Sequence, residues 1–227
     1  INIAQVAEHN GIPTIVDFFG QKVSEFIATD FGSADCIFAR NVISHVTNVH
    51  DVMSGMAHCV KDDGVAIIEF HYAGNILREL QYDSVYHEHL FYFSLQSLCF
   101  LLESHGLWTF DCNESPMNGG SIVLYSSKTK RPVTSTLREK LSSEKAIGLD
   151  QELKWLEFAE KCFLHRKRLH DMVEVQLSNG TKIIGLGASA RSSTLLNFCG
   201  IDHRHLLCIG DANRIKQGKY TAGTNIP

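Results

Sequence analysis

The densest group of side chains able to do chemistry is the run Tyr82-Asp-Ser-Val-Tyr-His-Glu-His-Leu-Phe-Tyr, in which Tyr86, His87, Glu88 and His89 are consecutive. In an extended stretch side chains alternate, so His87 and His89 would face one way and Tyr86 and Glu88 the other; in a turn all four could converge. Three readings stand side by side. The histidines could be satisfied within a buried polar network. They could hold zinc or iron, for which His-x-His is suited but for which no third or fourth ligand stands at a recognisable spacing. Or they could form an acid–base site, where an imidazole of suitable pKa removes a proton while the tyrosine and the carboxylate orient it or stabilise the developing charge.

A second cluster, Ala39-Arg-Asn-Val-Ile-Ser-His-Val, directly follows a predicted strand. Ligands of open α/β sheets bind beyond the carboxyl ends of strands, so Asn41 and His45 stand where a ligand belongs, although Asn41 would equally serve as the cap of the next helix. The third candidate is Gly185-Leu-Gly-Ala-Ser-Ala with Asp211 at the end of the following strand. It resembles a dinucleotide-binding turn, in which glycines let phosphate approach the backbone at a helix N-terminus. Ala190 replaces the third glycine of that pattern, and such turns also occur without a nucleotide.

These groups need a scaffold, and short apolar runs alternating with helix-period segments predict an α/β fold with a parallel sheet. Strands are expected at 13–16, 34–39 and 64–70, the last after the turn signal Lys61-Asp-Asp-Gly, with helices at 21–29 and 49–60. A helix over 75–81 leads into the irregular 82–92 segment, another follows over 95–105 with Gly106 as its cap, and two strands, 108–112 and 121–126, flank a loop containing Asn118-Gly-Gly and end the sheet as a hairpin-like pair. A polar linker is expected at 127–135, then a long helix over 149–177 with Leu153, Leu156, Phe163, Leu169 and Val173 in one stripe, stopped by Asn179-Gly180. The tail reads as β-α-β: strand 182–185, helix 191–198, strand 206–209. Two domains follow from this, 1–127 and 128–227.

Composition narrows the classes. With 44% hydrophobic residues in 227 the chain can bury one large core or two modest ones. A net charge of −4, with one basic run at 161–168 that suits a solvated helix face, gives no reason to expect nucleic acid. No apolar stretch is long enough to span a bilayer and no leader pattern opens the chain, so a cytoplasmic monomer without membrane contact is expected. The seven cysteines are odd in number and never form Cys-x-x-Cys, which argues against a disulfide framework and a cysteine zinc site; no metal is expected. Because it starts at Ile1 and stops at Pro227, the chain is expected to be a fragment at both ends.

Taken together the segments resemble the sugar C-methyltransferases, three-part enzymes acting on nucleotide-linked 4-keto-6-deoxysugars. The resemblance is carried by Ala34-Asp with Asn41-Val-Ile-Ser-His-Val, by Gly64 to Glu69, by Tyr82-Asp-Ser-Val-Tyr-His-Glu-His with Tyr92-Phe-Ser, by Gly119-Gly-Ser, by Gly185-Leu-Gly-Ala-Ser-Ala with Leu195-Leu-Asn, and by Lys216-Gln-Gly-Lys-Tyr with Gly223-Thr-Asn-Ile-Pro. It implies a partial class I, Rossmann-like methyltransferase sheet, a helical connector and a smaller Rossmann-like lobe. It further implies S-adenosylmethionine as cofactor and methyl transfer to carbon through an enolate, with His89 as general base and Tyr86, Glu88 and His45 lining the same site. The cofactor would meet Asp17, Phe18, Phe19, Ala39, Asn41 and Val42. The nucleotide-linked sugar would meet Asn118, Gly119, Ser121, Ser189, Arg191 and Tyr220. The family's cysteine-rich zinc domain and its first strand with the glycine-rich loop have no counterpart in these residues. Two rival functions remain: an NAD-dependent sugar-nucleotide oxidoreductase using the Gly185 turn, and a non-catalytic or metal-binding remnant in which His87, Glu88 and His89 do structural work.

Overall fold

In the computed structural model of the chain, residues 3–227 are described. They form an α/β protein of two compact units that interleave along the sequence. The first comprises the chain up to Phe70 with Leu95–Ser115 and Ile122–Lys140; the second comprises His71–Ser94, Pro116–Ser121 and Leu141–Pro227. The cut expected at 127/128 is linear, whereas the 71–94 and 116–121 segments group with the C-terminal residues.

The first unit begins with helix α1 (Ile3–His9), which buries no residue, and α2 (Gln21–Asp30). Strand β1 (Ala34–Arg40), helix α3 (Val49–Cys59) and strand β2 (Val60–His71) then make a βαβ core in which β1 and β2 pair in parallel, from Cys36 opposite Val65 to Arg40 opposite Glu69. Asn48 caps α3 by accepting the Asp51 N–H at 3.2 Å. Asn41, expected as a cap, instead sits at φ 50° beyond the end of β1. In the second unit a short helix α4 (Ala73–Arg78) follows. Back in the first, α5 (Leu95–Ser104) and strands β3 (Trp108–Ser115) and β4 (Ser121–Ser127) complete a sheet of order β1-β2-β4-β3. Met53, Met56, Ile68, Leu98, Leu102, Leu107, Ile122 and Leu124 are fully enclosed and make its core.

Two sequence expectations change here. Residues 13–16 form no strand: Pro13 has no N–H for a ladder, and Ile15 and Val16 remain 43% and 68% exposed, so the segment lacks both the hydrogen bonds and the burial a strand needs. The Lys61-Asp-Asp-Gly turn is absorbed into β2, which runs unbroken from Val60 because a register shift between Ala34 and Cys36 accommodates the extra residues as a bulge.

In the second unit α6 (Ser135–Ile147), which starts in the first, leads to the long α7 (Glu152–Ser178). Only the end of its expected stripe meets a core: Val173 is buried with Leu196, Cys199, Ile201, Leu206 and Ile226, and the partly buried Leu169 packs against them, while Leu153, Leu156 and Phe163 are more than half exposed. Strand β5 (Gly185–Leu186), helix α8 (Ala190–Cys199) and strand β6 (Ile209–Gly210) form the expected parallel β-α-β unit. The regular pairing is shorter than the apolar runs, but the hydrogen bonds Leu207 N–H to Ile183 O and Gly185 N–H to Cys208 O, both 2.9 Å, extend it.

Candidate active site

The Tyr82–Tyr92 segment is a chain of turns rather than a strand, so the strict alternation of an extended stretch does not apply. It opens with a 3-10 turn at Tyr82–Ser84, fixed from below by Tyr82, whose hydroxyl lies 2.8 Å from His165 Nδ1 and 3.4 Å from Cys199 Sγ. Burial pushes the Tyr82 hydroxyl well above the ordinary phenol range, so it stays protonated and structural. Asp83 receives a two-pronged bond from Arg191 on α8, Nε at 2.8 Å and Nη2 at 2.9 Å, and the same guanidinium donates through Nη1 to Asn118 O at 3.0 Å.

Asn118, Gly119 and Gly120 all have positive φ, 56°, 86° and 115°, which is why Asn-Gly-Gly stands there. The turn they make aims carbonyls inward: Asn118 O takes Arg191, and Gly119 O takes Gln81 Nε2 at 2.7 Å. Gln81 Oε1 in turn lies 2.7 Å from Nε2 of the buried His71, and an amide oxygen can only accept, so His71 carries its proton on Nε2. Burial first, and then the neighbouring Arg191 and His89, hold the His71 pKa below its ordinary value, against the opposing pull of Gln81. Ser121 is buried and its hydroxyl donates to Met117 O at 3.1 Å, closing the turn from within.

On this frame His89 Nδ1 is 2.9 Å from Ser84 O, and its Nε2 is 3.3 Å from the Tyr86 hydroxyl. A carbonyl oxygen cannot donate, so Nδ1 bears the hydrogen and Nε2 keeps the lone pair. The Tyr86 and His89 rings lie 4.4 Å apart. Burial, and secondarily the charge of Glu88, raise the Tyr86 pKa, so its O–H remains a donor near neutrality. His87 and Glu88 point to solvent while Tyr86 and His89 are half-buried. The structure therefore brings Tyr86 and His89 together and leaves His87 outside the pair.

Tyr86 and His87 also line a cavity of about 420 Å3 whose other walls are the Ala188-Ser-Ala turn and the strap Lys216–Ala222. Ser189, the N-cap of α8, and Tyr220 face this cavity. Its size lies within the range of small-molecule sites. A second cavity, of about 670 Å3, belongs to the first unit and is lined by Asp17, Phe18, Phe19, Ala39, Val42 and His45 among others. Asn41 is not among its walls: its N–H donates to Glu69 O at 2.8 Å, beside the ion pair of Arg40 with the buried Glu69.

Two family assignments divide the chain. Residues 4–109 match a methyltransferase domain, and residues 116–227 match the C-methyltransferase C-terminal domain. Each segment is thus similar to a methyltransferase domain. C-methyltransferase NovU of Streptomyces niveus is 34% identical over 228 residues, which cover all of this chain and 54% of NovU. The chain thus spans about half the length of that curated C-methyltransferase. Among solved structures, an O-methyltransferase family protein from Burkholderia thailandensis is 12% identical, covering 56% of this chain and 40% of its own, with a TM-score of 0.40. Magnesium protoporphyrin IX methyltransferase from Synechocystis, with bound S-adenosylhomocysteine, is 13% identical over 45% of this chain and 48% of its own, with a TM-score of 0.35. No described helix is long and apolar enough to cross a membrane.

Within this site the residues that sequence reasoning missed are the braces. His71 stands just past Gly64–Phe70, at the carboxyl end of a strand where ligand sites gather, and that position was the available signal. Gln81 and Asp83 gave none, because their partners Gly119 and Arg191 are 38 and 108 residues away.

Proposed function

We propose that the chain takes part in methyl transfer from S-adenosylmethionine to a carbon beside the carbonyl of a nucleotide-linked keto-deoxysugar, by way of an enolate. The observation that carries this is the tautomer of His89: Nδ1–H held on Ser84 O leaves the lone pair on Nε2, which the Tyr86 hydroxyl meets at 3.3 Å and which is the nitrogen that can receive a proton. The similarity to methyltransferase domains and the Tyr-His-Glu-His run with its companion blocks support the same chemistry.

The carbon proton passes to His89 Nε2, and the bonding pair it leaves moves into the carbonyl, whose oxygen gains charge. The imidazolium so formed keeps its Nδ1–H on Ser84 O, so the ring need not turn. Tyr86, held protonated, supplies an O–H to the charged oxygen. Glu88, next in sequence to His89, adds a negative charge that favours the imidazolium. Ser189 and Tyr220 contact the sugar nucleotide from the walls of the cavity beside Tyr86, and Asn118, Gly119, Ser121 and Arg191 hold the turn that supports them.

The cavity of the first unit fits S-adenosylmethionine by the chemistry of its walls. Phe18 and Phe19 offer flat apolar faces for a purine, and Asp17 offers a carboxylate for ribose hydroxyls, with Ala39 and Val42 as small apolar neighbours and His45 also in the lining. When bound, S-adenosylmethionine supplies an electrophilic methyl group on a sulfonium.

The test is exchange of the substrate α-proton in deuterated water, followed by NMR with a nucleotide-linked 4-keto-6-deoxysugar and no cofactor. His89→Ala is expected to slow exchange by about 10²- to 10⁴-fold. Exchange at the parent rate in that variant would remove His89 from its role and sink the reading.

A further inference from the structure

We propose that the second unit contains a zinc site formed by His170, Glu174 and His205, separate from the residues that carry the reaction. His170 and Glu174 stand one helical turn apart on α7, on the same face, and His205 comes from the loop that follows α8. One ligand atom from each lies within 4.8 Å of the others. Glu174 Oε1 is 3.0 Å from His205 Nε2 and 3.9 Å from His170 Nε2. A tetrahedral zinc with ligands at 2.0–2.2 Å keeps neighbouring ligand atoms roughly 3.3 Å apart, so the half-exposed His170 ring needs to shift by only about an ångström.

The surroundings of His205 suit a ligand. Its Nε2 is 3.0 Å from Glu174 Oε1, and its Nδ1 is 2.8 Å from Asp202 Oδ1 and 3.1 Å from the Asp202 N. With zinc on Nε2, Asp202 would be the partner that orients the ring, accepting Nδ1–H. His205 is 7% exposed, whereas the side chains of His170 and Glu174 are 39% and 53% exposed, so a site anchored at its base opens to solvent at its rim. Two imidazoles with one carboxylate suit zinc and disfavour magnesium and calcium, which take oxygen ligands. Such an ion would tie α7 to the 201–206 loop, whose Ile201 and Leu206 are core residues.

The experiment titrates the chelator-stripped chain with zinc chloride against a chromogenic chelator and repeats it with H170A and E174Q. Both positions lie on the helix surface, so far-UV circular dichroism is expected to match the parent. The parent should take up one equivalent of zinc and melt at a higher temperature with it. Each variant should lose at least about 100-fold in affinity, the upper end of what loss of a mere outer-sphere partner costs, together with the rise in melting temperature. Calcium and magnesium should not compete. A parent that binds no zinc overturns the site. Equal binding by both variants overturns it too, since zinc would then sit elsewhere, for instance on the exposed thiols of Cys36 or Cys208.

Discussion

Removing the carboxylate of Asp83 should loosen the turn from which the proposed base hangs, and the structure sets the size of the effect. Arg191 meets Asp83 through two charge-assisted bonds at 2.8 and 2.9 Å, with the two side chains 34% and 28% exposed. An exposed pair contributes at most about 1 kcal/mol, while breaking a buried one costs about 3–5 kcal/mol. With about a third of each group in water and two parallel bonds, a coupling of about 2 kcal/mol lies between these limits. Asp83→Ala, Arg191→Ala and the double variant form the cycle that isolates it. Asp83→Ala alone should cost about 2–3 kcal/mol, because Arg191 stays half-buried with Asn118 O as its remaining acceptor among the described residues. For a chain of this length that corresponds to a fall of roughly 5–10 °C in Tm. Chemical denaturation gives the cycle energies, and the α-proton exchange assay gives the functional consequence, a reduced rate with the base still present. A coupling energy under about 0.5 kcal/mol would refute the reasoning, since the guanidinium would then be held equally well without its carboxylate.

Two further outcomes follow from the same frame. Gly120→Ala places a methyl 2.0 Å from Asn75 Nδ2 at a φ of 115°, so it should destabilise the chain by about 2–3 kcal/mol, whereas Gly180→Ala, at φ 77° with open space around it, should cost only about 1 kcal/mol; urea midpoints compare them. Burial lowers the pKa of His71, so the folded state disfavours its protonation. The contribution of the neutral ring is present above the unfolded value of about 6.5 and is lost as pH falls from there towards the depressed folded value. Urea midpoints should therefore decline between pH 7 and pH 5, and His71→Gln should flatten part of that decline.

What could be read from the sequence and what could not divide along the distance between partners. The α/β alternation, the helices at 21–30, 49–59 and 95–104 and the β-α-β tail are local, periodic features, and they appear where patterning predicts them. The Tyr86–His89 pair was legible because its members are three positions apart, a spacing that a turn brings into contact. The orientation of that pair was not, since it depends on the carbonyl of Ser84, and a backbone acceptor leaves no trace in residue type. The stripe on α7 failed for another reason. Helical spacing of apolar residues reports a face that could be buried, and Leu153, Leu156 and Phe163 have that spacing while staying exposed. His170 and Glu174 carried a four-residue spacing that fits a metal, but the third member of their group lies 31 residues beyond Glu174, past α8.

The Gly185 turn shows how a sequence pattern can be satisfied locally and its chemistry diverted. In a dinucleotide site the glycines free backbone N–H groups for a pyrophosphate, and the acidic residue after the next strand reaches the ribose. Here Gly187 N–H is spent on Gly210 O at 2.7 Å and Ala188 N–H on Asp211 Oδ2 at 2.8 Å. Asp211 also accepts the Asn213 N–H at 2.7 Å, and these backbone bonds, Asn213 first, hold its carboxyl below the usual range, so it is ionised throughout the physiological interval. An incoming pyrophosphate would have to displace a carboxylate from the turn and then lie against its charge. Lys216 closes the arrangement, donating to Ala188 O at 2.6 Å and lying 3.4 Å from Asp211. The same residues that would have carried NAD thus bind the 211–222 strap to the start of α8, and that strap is a wall of the cavity beside Tyr86 and His87. The glycines keep the geometric purpose of the pattern, a tight passage from strand to helix, while the anion they receive is the chain's own.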